Sequence, residues 1–123
     1  MNRLIEQHCK GIFRSYKTFR PSGDVILHTV HDYHEWDFNE NHHLAICYYR
    51  QRRRNVRAET DQWTITFENR RYYIDIKKPP LRYEMISVNH TGLVIEDCAR
   101  RDKMFLARLA VWEDFIRNRR PVL

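Results

Sequence analysis

A chain of 123 residues is one domain long and has no room for a second hydrophobic core. Its 42% hydrophobic and 13% aromatic content excludes a disordered chain and leans toward strands, and no apolar run approaches the ~20 residues of a membrane helix. A net charge of +6 permits attraction to nucleic acid, anionic lipid or acidic ligands, and says nothing about fold.

The first ten residues carry Arg3, Glu6, Gln7 and His8 and no apolar core, so they do not read as a signal peptide. A cytoplasmic location is the expectation, with Asn2–His8 as a short helical turn. Three cysteines (Cys9, Cys47, Cys98) are odd in number and lack CxxC spacing, which predicts reduced thiols, Cys47 acting as a small hydrophobe.

From Gly11 onward the chain reads as strand-like runs separated by turn residues, the pattern of an all-β barrel or sandwich. Gly11–Arg20 is the first run, ended by Pro21-Ser22-Gly23-Asp24. Val25–Phe38 follows, as one bent strand or as two broken near His31-Asp32. Asn39-Glu40-Asn41 turns into His43–Arg50, and 51–55 reads as a basic loop. Glu59–Glu68 alternates Trp63, Ile65 and Phe67 against Thr64 and Thr66, so one side is buried. Asn69-Arg70 is a tight hairpin into Arg71–Lys77, because asparagine tolerates positive φ. Pro79-Pro80 interrupts pairing before Leu81–Val88, then come Leu93–Cys98 and Lys103–Ala110. Val111–Arg119 places Trp112, Phe115 and Ile116 on one helical stripe, with acid early and base late.

The prediction is a single domain: a helical turn over 1–10, a barrel over 11–110 and a C-terminal helix over 111–119. Short connections make the barrel up-and-down and antiparallel, with eight or nine strands.

Several runs carry a resemblance. Gly11-Ile12-Phe13 is similar to the Gly-x-Trp that opens the first strand of lipocalins. Glu35-Trp36-Asp37-Phe38-Asn39, Gln62-Trp63-Thr64-Ile65, Tyr83–Val88 and Leu93-Val94-Ile95-Glu96 resemble small bacterial lipocalin-like domains of the calycin superfamily. The resemblance spans roughly Leu4–Leu109 and implies a barrel that binds small, often apolar molecules. It also implies a late arginine stacked on the first-strand aromatic; Arg108 is the matching residue, over Phe13 where the family has tryptophan.

An eight-stranded barrel is just wide enough to be filled by its own side chains or to hold one small ligand. If Phe13 points inward, strict alternation sends Ser15, Lys17 and Phe19 inward too. The expected ligand-binding set is Ser15, Lys17, Trp36, Phe38, Tyr48, Trp63, Tyr72, Tyr83, Met85 and Arg108. Rings supply a wall, tyrosine hydroxyls orient the guest, and Lys17 either meets an anion or sits in water at the rim. The expected partner is thus a small, mainly apolar or aromatic, anionic molecule, bound by a monomer or homodimer.

His28, His31 and His34 are weak metal candidates, because alternation puts His28 and His34 on one face and His31 on the other. No cofactor is expected. Arg50, Arg52, Arg53, Arg54 and Arg57, beside Tyr48 and Tyr49, support a rival reading as an interaction or nucleic-acid-binding module through 50–57. No OB, RRM or KH signature accompanies them. An enzyme acting on a bound small molecule is a second alternative without a motif behind it, and no catalytic residue is expected.

Overall fold

The computed structural model describes residues 2–118, with side chains for 5–114 and 117. Helix α1 (Asn2–Cys9) leads into β1 (Gly11–Phe19), β2 (Val25–Leu27), β3 (Asp32–Phe38), β4 (Leu44–Arg50) and β5 (Arg53–Thr60). Then come β6 (Trp63–Glu68), β7 (Arg71–Ile76), β8 (Leu81–Val88), β9 (Gly92–Asp97), β10 (Lys103–Arg108) and α2 (Leu109–Asn118). Phe115, Ile116 and Arg119, expected on or beside the apolar stripe of the last helix, lie outside the described side chains.

The strands form one antiparallel sheet in the order β5-β4-β3-β1-β10-β9-β8-β7-β6, with β2 attached to β1. Eight antiparallel pairings separate β5 from β6, so these two end strands run the same way. Only Asp61 and Gln62 lie between them. They are two halves of one bent strand, the first paired with β4 and the second with β7. The sheet therefore curls into a barrel-like shape with no ladder between its ends. Rings from opposite walls meet inside it: Trp36 lies 4.7 Å from Tyr83 and Phe38 5.3 Å from Trp63.

The segment from Val25 to Phe38 is two strands, the second of the two alternatives. One sequence expectation is corrected: 51–55 is not a loop. Gln51 and Arg52 form a two-residue turn with φ of 51° and 69°, and β5 begins at Arg53. Positive φ at both turn positions matches the right-handed twist of a hairpin, and the ladder compensates for its strain in a residue other than Gly or Asn. Among the described residues the strands number ten.

The core fills the end of the barrel next to α1. Phe13, Leu44, Ile74, Leu93 and Leu106 are fully buried there, with Ile5 and Cys9 of α1 packed against them. The Arg108 guanidinium lies 4.7 Å over the Phe13 ring and donates to the carbonyls of His8, Lys10 and Asn89, tying α1 to the sheet. At Gly11, φ is +117°, and a Cβ would come within 3.2 Å of that guanidinium, so glycine suits the position on both counts. On the outside, α2 packs on β1 and β10, burying Ala107 and Trp112. Arg14 is held between the Tyr33 and Trp112 rings while its Nε donates to Glu35 Oε1 at 2.9 Å. No helix among the described residues is long and apolar enough to cross a membrane.

Three β-bulges interrupt the alternation. The β1–β10 register shifts between Ser15 and Lys17, the β4–β5 register between Ile46 and Cys47, and the β8–β9 register between Met85 and Ser87. Each inserts one residue (Tyr16, Arg57 and Ile86), and every side chain beyond it changes face.

Candidate functional site

Above the apolar half, the barrel opens into a cavity of about 620 Å³. Its floor is apolar: Trp36, Ile46, Ile95 and Met104, with the ring of Tyr83. Its upper walls are polar. Thr18 and His28 come from β1 and the segment after β2, His34 from β3, Tyr48 and Arg50 from β4, and Arg57 from β5. Asp97 ends β9, and Arg100 and Asp102 belong to the following turn.

The bulge at Tyr16 shapes one wall. It turns Thr18 inward, where its Oγ1 is joined to His28 Nε2 at 2.8 Å. The carbonyls displaced at the bulge find new donors, Ser15 from the Trp112 indole at 3.0 Å and Tyr16 from the His28 backbone at 3.0 Å. The same bulge sends Lys17 and Phe19 outward, which corrects the expectation for both. The Lys17 ammonium rests 4.5 Å from the Phe105 ring on the outer face and is no anchor for a guest inside.

The bulge at Arg57 shapes the opposite wall. Its guanidinium reaches inward, where Nε donates to the Tyr83 hydroxyl at 3.1 Å and an Nη lies 3.9 Å from Asp97 Oδ2. Burial raises the Tyr83 phenol above its ordinary value, the hydrogen bond from Arg57 opposing it.

His34 stands between these walls. Its ring is 5.6 Å from that of His28, edge to face, and 6.0 Å from that of Tyr48. Its backbone N–H donates to Ser15 Oγ at 2.8 Å. Burial, reinforced by the positive charges of Arg57 and Arg100, lowers its pKa to about 4, so the imidazole is neutral at pH 7. The Trp36 indole N–H is buried and has no acceptor among the described residues.

Of the residues expected to bind a ligand, Trp36, Tyr48 and Tyr83 line this cavity. Phe38, Trp63 and Met85 belong to the apolar core, with Tyr72 packed against it. Ser15 is fully buried, and Arg108 is committed to the α1 end. Arg57, Arg100, Asp97 and Asp102 were not singled out as interior groups; a bulge places the first, and a turn brings the second and fourth over the opening. His28 and His34 do share a face while His31 is exposed. Among the described residues no three His, Cys, Asp or Glu side chains are grouped to hold a metal ion.

The basic 50–57 run is divided by the hairpin. Arg57, half-buried, and Arg50, exposed at the rim, line the cavity, whereas the exposed Arg52, Arg53 and Arg54 do not. Arg54 stands opposite Tyr49 across the β4–β5 ladder. No family model, curated protein or solved structure matches the chain.

Proposed function

We propose that the protein binds a small, largely aromatic, anionic molecule non-covalently in the cavity at the open end of its barrel. The observation that carries this reading is a cavity of about 620 Å³ with an apolar, ring-lined floor and guanidinium groups of Arg57 and Arg100 above it. Cavities of this size suit a single small guest, and a few polar groups over an apolar wall fix its orientation. Trp36, Tyr48 and Tyr83 supply the flat surfaces.

The exposed arginines of the β4–β5 hairpin stand beside the opening and would steer an anion toward it. Arg108 over Phe13 supports assigning the barrel to the lipocalin-like type. The division of the basic run between cavity and surface weighs against a nucleic-acid-binding hairpin.

Native mass spectrometry of protein from its own cells, against a denatured control, tests the reading. A reproducible added mass lost on denaturation is expected. A clean apo mass, together with no thermal shift from aromatic carboxylates at millimolar concentration, would sink it.

A further inference from the structure

The geometry points to an oxyanion subsite between Arg57, Arg100 and His34, in which the guest's acidic head lies against both guanidinium groups and His34 takes up a proton as it binds. This rests on the cavity reading above and adds where the charge sits and what it is coupled to. The head is a carboxylate, phosphate or sulfonate, the groups a guanidinium fork recognises.

The placement follows from which cavity groups are already engaged. Arg57 Nε is held by the Tyr83 hydroxyl at 3.1 Å, which fixes the direction of the fork. Among the described residues its terminal nitrogens are matched by Asp97, at 3.9 Å, beyond ordinary hydrogen-bond length. A guest oxyanion is a better partner than that. Arg100 is exposed on the β9–β10 turn, yet its charge reaches both His34 and Tyr83. Arg57 and Arg100 line the same cavity as His34, with Arg20 and Arg50 farther round its wall.

Every wall places ionisable groups around that imidazole. His28 faces it across 5.6 Å, and Asp32 precedes it on β3. Tyr48 comes from β4 and Tyr83 from β8. Asp97 and Asp102 flank Arg100 on the β9–β10 side. The positive charges dominate at His34, and together with burial they keep it neutral, with a pKa of about 4. An anion resting on Arg57 and Arg100 cancels that field and adds an acceptor beside the ring. Both effects favour imidazolium. By reciprocity, protonation of His34 must strengthen the anion's binding. The affinity is then flat above the ordinary histidine range, rises as pH falls through the pKa of the bound form, and levels off near pH 4. Burial accounts for most of the displacement and a guest does not relieve it, so the gain between pH 7.5 and pH 5 is the few-fold part that the two arginines supply.

The test is titration calorimetry with 8-anilinonaphthalene-1-sulfonate, whose sulfonate stays ionised across this range. It is run near pH 5.5 in two buffers of different ionisation enthalpy. The wild type should take up a fraction of a proton per molecule bound, and H34Q should bind with no uptake. R100Q, a change on an exposed turn, should weaken binding about tenfold. R57K, checked for folding by circular dichroism, should weaken it as well, since an ammonium cannot offer the fork. Uptake that persists in H34Q, or none in the wild type while R57K and Tyr48→Ala still weaken binding, overturns the subsite and leaves the cavity reading standing. Affinity unchanged in R100Q, R57K and Tyr48→Ala alike, or no binding at all, overturns both.

Discussion

The neutral imidazole inside the barrel has a consequence for folding that needs no ligand. In the unfolded chain His34 takes a proton at about its ordinary 6.5, whereas in the native protein it resists until about 4. Between those values the unfolded state binds more protons, so stability is fully present above the ordinary value and is lost as pH falls toward 4. At about 1.4 kcal/mol per tenfold difference, the whole displacement is worth about 3 kcal/mol, of which about 2 kcal/mol is lost between pH 7 and pH 5. With a urea m-value of about 2 kcal/mol per molar, the unfolding midpoint should fall by about 1 M across that interval. Carboxylates titrate nearby, and Asp37, whose carboxyl burial raises, opposes the trend. The quantity to read is therefore the difference between wild type and His34→Gln, each followed by fluorescence in urea at both pH values. H34Q should lose the His34 part of the slope and keep the rest. Parallel pH dependences in the two proteins would refute the argument that burial and the two arginines keep His34 unprotonated.

Three further outcomes follow from the fold. Gly92→Ala would drive a Cβ into the Leu106 carbonyl oxygen, and a backbone atom cannot rotate away. Urea unfolding should show a loss of about 1–3 kcal/mol. Arg108→Ala removes donors to the carbonyls of α1 and of the β8–β9 turn together with the stack on Phe13. It should cost about 2 kcal/mol, and hydrogen exchange should show α1 opening well before the sheet. The Cys9 thiol, pushed up to about 12 by burial, should resist alkylation at pH 8 in the native protein and label at an ordinary thiol rate only in denaturant, which mass spectrometry reads directly.

How far the sequence carried this fold depends on where alternation holds. Trp63 and Ile65, Tyr83 and Met85, and Leu93 and Ile95 each sit two apart, and each pair is buried as that spacing predicts. The Asn69-Arg70 hairpin was legible because asparagine tolerates the φ of 52° found there. The Gln51-Arg52 hairpin was not, because neither residue signals positive φ and the surrounding arginines look like a solvated loop. That omission hid β5 and, with it, Arg57 as an interior group. The break between β2 and β3 was visible only as a choice, since His28–His31 carries no proline or glycine to decide it.

Two of the cavity residues missed, Thr18 and Arg57, share a physical cause. A bulge adds one residue to a strand without any compositional mark, and everything past it changes face. Strict alternation therefore put Lys17 inside and Thr18 outside; the bulge at Tyr16 reverses both and brings Thr18 onto His28. At the β4–β5 bulge, the inserted Arg57 itself, from a surface-like basic run, reaches the Tyr83 hydroxyl inside the barrel. The apolar half, where Phe13, Leu44 and Leu93 obey the pattern, needs only to be filled. In the polar half, His34 and Tyr48 still follow the pattern, whereas Thr18 and Arg57 arrive through departures from it that cost regular ladder pairing. Packing alone gives no reason to retain an arginine and a neutral histidine in the wall of a small barrel, since apolar side chains would fill the space without their desolvation cost. A guest whose charge they meet does give such a reason, which is why the bulged walls rather than the aromatic core locate the site.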